Sequence, residues 1–223
     1  MLIINKLCKG YRDGDDFHPV LQGADLHIER GAQIALMGES GSGKSTLLNL
    51  IAGLDSVDSG EIWFDSVALH ECHERQRTHF RRENIGMIFQ QYNLLPTLTI
   101  ADNIRFCRQL KGLKEDDKLW RQILSNLDLM PLLSRYPEEL SGGQQQRVAI
   151  ARSLYMVPKL LLADEPTGSL DEKNEAAVMR LLISLAKQLE CTLLMVTHSA
   201  TVANYMEGQV RLQGGHLDVR SRS

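Results

Sequence analysis

Gln33-Ile34-Ala35-Leu36-Met37-Gly38-Glu39-Ser40-Gly41-Ser42-Gly43-Lys44-Ser45-Thr46-Leu47-Leu48-Asn49-Leu50-Ile51-Ala52-Gly53 decides the fold of this chain. A strand-sized apolar run, 33–37, enters a glycine loop, and a helix-like run from Thr46 to Ala52 leaves it, closed by Gly53. Residues Gly38 to Ser45 fit the spacing G-x-x-x-x-G-K-[ST]. Glycines let the backbone curl until successive N–H groups point inward at phosphate oxygens, and strand–loop–helix is the context such a loop needs. The reading puts Gly38, Ser40, Gly41, Ser42, Gly43, Lys44, Ser45 and Thr46 against a nucleoside triphosphate. Lys44 supplies a point charge to the β and γ phosphates, and the Ser45 hydroxyl is a magnesium ligand. The plain alternative is an ordinary glycine turn before a helix.

Outward from that loop, residues 2–8, 25–30 and 85–89 read as strands. From Pro96 to Pro158 the character turns helical, with Leu119, Trp120, Ile123, Leu124 and Leu127 at helical spacing. Residues 160–163 and 192–196 are continuous apolar runs, expected of strands buried on both faces. Between them Ala177, Leu181, Leu182, Leu185 and Leu189 make one face of a helix. Two short strands, 208–213 and 216–219, flank Gly214-Gly215. With 223 residues and no repeat or linker, the chain reads as one α/β domain. Its core is 1–95 with 158–223, and 96–157 form an inserted helical subdomain.

Composition is that of a soluble globular protein, 43% hydrophobic and 24% charged. A net charge of −3 argues against a broad nucleic-acid surface, so no nucleic-acid partner is expected. No apolar run approaches the roughly 20 residues that span a bilayer, and Met1 to Lys6 lacks a signal pattern. A cytoplasmic location follows, with any membrane part supplied by another chain. Cys8, Cys72, Cys107 and Cys191 form no C-x-x-C pair and read as reduced thiols.

Two further stretches carry chemistry. Leu161-Leu162-Ala163-Asp164-Glu165 is an apolar strand ending in paired carboxylates, at the end where open α/β sheets bind ligands. Asp164 suits magnesium held through water, and Glu165 suits accepting a proton from the attacking water. Leu140-Ser141-Gly142-Gly143-Gln144 opens a helix through Val148, Ile150 and Ala151. Ser141 is a natural N-cap, and the glycines permit close approach of a phosphate to the helix N-terminus. A capped helix and nothing more is the plain alternative.

Leu140-Ser141-Gly142-Gly143-Gln144 resembles the signature motif of the ABC-transporter ATPases. The other marks of that family stand in its order: Tyr11, Gln90 after a strand, Ser169-Leu170-Asp171 after the carboxylates, and His198 ending Val196-Thr197-His198. The resemblance covers nearly the whole chain. It implies an α/β P-loop NTPase (RecA-like) core with N-terminal antiparallel β elements and the helical insert. It also implies ATP and Mg2+ as ligands, and hydrolysis of ATP to ADP and phosphate. By similarity, Tyr11 stacks on adenine, and Gln90 reaches magnesium and the water and links the site to the membrane subunit. Gln91 is the alternative, but Gln90 stands nearer the strand. His198 contacts the γ-phosphate. Ser141, Gly142 and Gly143 meet the triphosphate held by a second copy, and Asp171 sits at the interface. Glu165, His198, Lys44 and Gln90 form the implied catalytic set, and Ser45, Gln90 and Asp164 the implied metal set.

The runs 82–86, 90–99 and 164–171 are similar to the lipoprotein-release and macrolide-exporter branch. That branch implies a permease of four membrane helices with a large extracytoplasmic domain, and a chain peripheral on the inner face of the cytoplasmic membrane. The branch also includes a cell-division ATPase that drives no known cargo, which, with a soluble ATPase, is the alternative. Ser199 stands where an aspartate is usual and Gly208 where a basic residue is common. The segment His70 to His79 is rich in metal-capable side chains, at a place where the family that the chain resembles has an ordinary polar helix, and no functional metal site is expected.

Overall fold

The structure, a computed structural model, describes residues 2–166 and 172–220. The chain divides into two compact units, Met1–Arg81 with Leu194–Ser223, and Arg82–Leu193.

In the first unit, β1 (Leu2–Asp13) and β2 (Asp16–Ile28) form an antiparallel hairpin turned at Gly14, whose φ of 61° suits glycine. β3 (Gln33–Gly38) leads through the glycine loop into α1 (Lys44–Ile51). β4 (Ser59–Phe64) and β5 (Val67–Ala68) complete a sheet of order β2-β1-β4-β5. Leu2, Ile4, Leu21, Ala24, Leu26, Ile28, Ile62 and Phe64 bury one face of it. The hairpin is longer than the runs 2–8 and 25–30 suggest. Residues 11–19 are exposed on both faces, so no apolar alternation marks them as strand. Tyr11 therefore lies on β1 opposite His18. β4 escaped the sequence reading, although Ile62 and Phe64 alternate with half-exposed neighbours.

A polar helix, α2 (Glu74–Asn84), precedes β6 (Ile85–Ile88). In the second unit, α3 (Ile100–Leu110), α4 (Asp117–Asn126) and α5 (Gly142–Tyr155) fall between β6 and β7 (Leu160–Asp164) in chain order. β6 and β7 pair in parallel, with Ile88 opposite Ala163. The side chains of α5 from Val148 to Tyr155 are all buried, which makes it the central helix of this unit. Tyr155 receives Trp120 edge-on at 5.1 Å between ring centroids and the Arg108 guanidinium at 4.7 Å. α6 (Glu172–Gln188) buries Val178, Met179, Leu182, Leu185 and Ala186, while Ala177 is exposed and Leu181 half-buried. The buried stripe is thus rotated from the expected one, because Val178 and Met179 outweigh Ala177 in apolar area.

β8 (Thr192–Val196) is buried along its whole length. Its first N–H, at Thr192, bonds the Lys159 carbonyl. In the first unit, Thr197 N–H bonds the Leu36 carbonyl, α7 (Ala200–Ala203) follows, and β9 (Gly208–Gln213) runs parallel to β3. β10 (His216–Arg220) turns back antiparallel on β9 through Gly214 and Gly215, both at positive φ.

Candidate functional site

The glycine loop is built for close approach. Gly41 and Gly43 hold φ of 75° and 102°, where an L side chain would be strained. A Cβ on Gly43 would lie 2.5 Å from Cγ1 of Val20. Val20 is the extra residue of a bulge in β2, because Lys9 faces Leu21 whereas Gly10 faces Pro19. α1 begins at Gly43 with no capping side chain and no acidic residue in its first turn. Its first N–H groups thus lack an intrahelical or side-chain acceptor, the arrangement that receives an anion. Ser42 Oγ is buried and unbonded. Lys44 is buried, its ammonium donating to the carbonyls of Gly38 (3.1 Å) and Glu39 (2.7 Å). These features fit a triphosphate.

His198 joins this half. Met37, Gly38 and Glu39 line a cavity of about 380 Å³ with Thr197, His198, Gln209, Val210 and Arg211. His198 is exposed at the end of β8. Ser199 caps α7, its Oγ accepting from Val202 N–H at 3.3 Å, so the departure from aspartate retains the capping oxygen. Gly208 opens β9 beside Ile34.

Tyr11 stands near the loop in an ionic frame. Its hydroxyl donates to Asp55 Oδ2 at 2.9 Å, and Lys9 Nζ lies 5.1 Å from its ring centroid. The same ammonium bonds Asp55 Oδ1 at 3.0 Å and the Ser56 carbonyl at 2.8 Å, with Asp58 at 3.6 Å. Burial and the bond to Asp55 raise the Tyr11 pKa, with Thr46 opposing. Burial pulls Lys9 down, yet Asp55 and Asp58 outweigh it and the net shift is upward. Burial likewise raises Asp55, and Lys9, Tyr11 and the Ser56 N–H reverse the sign. Lys9, Asp55 and Asp58 were not singled out in the sequence. A lysine two residues from an aromatic on one strand was the available signal, since alternate residues share a face.

The second unit holds the remaining residues. Asp164 ends β7 half-buried, and Glu165 follows at a positive φ of 45°, uncommon for a non-glycine residue. β6 stops at Ile88, one residue earlier than expected, so Gln90 and Gln91 lie in the bend beyond it, both exposed. The register of Ile88 on Ala163 makes Gln90 and Glu165 leave the same end of the strand pair. α5 opens with a reciprocal cap: Gln144 N–H donates to Ser141 Oγ, and Ser141 N–H to Gln144 Oε1 at 2.9 Å. A Cβ on Gly142 would stand 2.8 Å from the Tyr92 hydroxyl oxygen. From the same helix, Arg152 donates to the carbonyls of Asn93 (2.6 Å) and Tyr92 (3.0 Å). Tyr92, Leu94, Leu95 and Leu98 are half-buried. Asn103 of α3 holds this stretch, a role that an Asn in an apolar-faced helix conceals in sequence. Its amide bonds Leu95 N–H and the carbonyls of Leu95, Leu98 and Thr99. Asp171 lies outside the described residues.

The metal-capable segment is not one helix. His70 sits on a short 3-10 turn with its ring bonded to the Ile62 backbone, and Cys72 Sγ bonds the Ala68 carbonyl. Among the described residues no group of three or more His, Cys, Asp or Glu converges on a point. No helix among them is long and apolar enough to cross a membrane.

A family profile described as ABC transporter matches residues 21–168. An uncharacterised ABC transporter ATP-binding protein of Mycobacterium tuberculosis is 41% identical over 216 residues, 96% of this chain and 87% of the relative. The lipoprotein-releasing system ATP-binding protein LolD of Legionella pneumophila is 40% identical over 222 residues, 99% and 98% of the two chains. Among solved structures, the dimeric post-hydrolysis ATP-binding cassette MJ0796, bound to ADP and Pi, superposes with a TM-score of 0.90 at 35% identity, covering 100% of both chains.

Proposed function

The chain belongs to the ABC transporter ATP-binding family and is an ABC-type ATPase, and on that premise we propose that two copies close head to tail over two ATP molecules to drive a separate permease. Each site would take Tyr11, the loop 38–46, Asp164, Glu165 and His198 from one copy, and Ser141, Gly142 and Gly143 from the other. The observation that carries this reading is the pair of helix N-termini, at α1 and α5, presented by glycine-bearing loops. The dimeric, ADP-bound state of the MJ0796 cassette supports it.

Lys44 and the loop N–H groups neutralise the β and γ phosphates. Ser45, Asp164 and Gln90 would hold Mg2+, whose charge lowers the barrier to phosphoryl transfer. Glu165 accepts the proton of the attacking water, His198 meets the γ-phosphate, and Asp171 meets the second copy. Loss of the γ-phosphate removes the contact between copies, and the dimer reopens. The helical insert 96–157 carries the loop 140–143 that meets the second copy.

The permease is proposed to be of the lipoprotein-release and macrolide-exporter type, four-span with a large extracytoplasmic domain. The LolD relatives support this. The chain would then lie on the inner face of the cytoplasmic membrane.

Composite sites are tested by mixing two inactive variants, Lys44→Ala and Ser141→Arg. In mixed dimers one site keeps Lys44 from one copy and Ser141 from the other, while its twin loses both. Half the dimers mix and half their sites survive, so about a quarter of wild-type turnover is expected, against none from either variant alone. No recovery on mixing would place both residues in one site of one chain.

Base recognition should be loose. The Tyr11 hydroxyl is engaged by Asp55, leaving a π-face that any base can use. GTP is expected to turn over within roughly tenfold of ATP, a gap of about 1.4 kcal/mol. A larger preference would require polar groups reading the adenine edge.

A further inference from the structure

The Tyr11 ring is not an unsupported aromatic on a strand. Lys9 and Tyr11 are alternate residues of β1, so their side chains leave the same face of the strand. Between them Gly10 has no room for a side chain. A Cβ there would collide with the Phe17 ring and come within 2.9 Å of the His18 carbonyl. Gly10 N–H is anchored on Asp58 Oδ2 at 2.8 Å. Lys9 is only 8% exposed, and its ammonium is fixed by Asp55 and by the Ser56 carbonyl while it covers the Tyr11 ring. Asp55 binds both the ammonium and the phenol, so ring position and ring tilt are set by one carboxylate. Tyr11 remains 43% exposed. With the ammonium on one face, that exposure leaves the other for a planar group.

We propose that Lys9 and Asp55 are positioning residues that hold Tyr11 as a one-sided platform for the nucleotide base, and so set affinity for the base and not for the phosphates. This rests on the nucleotide site described under the proposed function. A ring fixed before binding loses no rotamer freedom when the base arrives, and a cation over its face adds to that restraint. The Tyr11 hydroxyl is bonded to the Thr46 side chain at the far end of the loop 38–46, whereas Lys9 and Asp55 bond none of those residues, so Lys44 and Ser45 should keep their phosphate contacts when Lys9 or Asp55 is changed.

The test compares ATP with inorganic tripolyphosphate, which has the phosphates and no base. Lys9→Met is expected to raise the KM for ATP roughly fivefold, the scale of a partly desolvated cation–π contact. The kcat and the inhibition constant of tripolyphosphate should stay within twofold of wild type. Lys9→Arg, which keeps a cation over the ring, should restore the KM. If Lys9→Met does not fold, Asp55→Asn is read in its place, with the same split between ATP and tripolyphosphate. Tyr11→Ala tells the two readings apart. If it weakens ATP and the clamp variants do not, the clamp is overturned and the base platform stands. If Tyr11→Ala leaves ATP binding unchanged, the platform fails and the clamp with it. Equal weakening of ATP and tripolyphosphate by Lys9→Met would reduce Lys9 to a structural part of β1.

Discussion

Glu165→Gln is expected to lower ATP turnover by roughly a thousandfold, within the range that a positioned general base contributes, while ATP binding persists. The amide keeps the shape of the carboxylate but cannot take the proton of the attacking water. Glu165 follows directly on the buried run of β7, at a φ of 45°, and leaves the strand pair at the same end as Gln90. A non-glycine residue in that conformation is held there by its surroundings, a pattern common where side chains must be aimed. Lys44, the glycine loop and the capped N-terminus of α5 are untouched by the change. The variant should therefore still bind ATP and should accumulate as a dimer, because the step that reopens the pair is blocked. Size-exclusion chromatography with and without ATP reads the dimer, and phosphate release reads the turnover. A monomeric profile in ATP together with near wild-type turnover would remove Glu165 from the chemistry.

What could be read in the sequence was whatever burial writes on both faces of an element. β7 and β8 are buried on both sides and showed as unbroken apolar runs. The glycine loop showed because its backbone conformations tolerate few other residues. The hairpin between residues 9 and 24 did not show, because its outer part is wet on both faces and leaves no alternation. Tyr11 was consequently found by its resemblance alone, and the structure has it on β1. The supporting residues were hidden for a different reason. Lys9 and Asp55 stand 46 positions apart, and Arg152 lies 59 and 60 positions from the carbonyls it holds. A polar side chain whose partner is that distant carries no local pattern; only the folded register brings the two together. The face of α6 was misjudged by a fraction of a turn, since Ala177 and Val178 are adjacent and periodicity alone does not rank them.

Asn103→Leu is expected to destabilise the protein by about 3 kcal/mol, the scale of two backbone groups, Leu95 N–H and the Leu98 carbonyl, left without a partner. The substitution is nearly isosteric, so the loss would not come from a cavity. Asn103 is 0% exposed, and its side chain meets four backbone groups: the N–H of Leu95 and the carbonyls of Leu95, Leu98 and Thr99. Leucine can meet none of them. The stretch concerned runs from Gln90 to the Thr99 cap of α3 and contains Pro96, so it has few backbone bonds of its own beyond Leu98 N–H to the Leu95 carbonyl. Arg152 holds its first part through Tyr92 and Asn93, and Asn103 holds its second. For a chain of 223 residues, 3 kcal/mol corresponds to a fall in Tm of roughly 6–12 °C, read by circular dichroism. Hydrogen exchange should also quicken at the Leu95 amide, because its acceptor is the group removed, while the amides of β7 and β8 keep their order of protection. A Tm within 2 °C of wild type, with the Leu95 amide still protected, would mean that this stretch is held by the packing of its leucines and not by the asparagine.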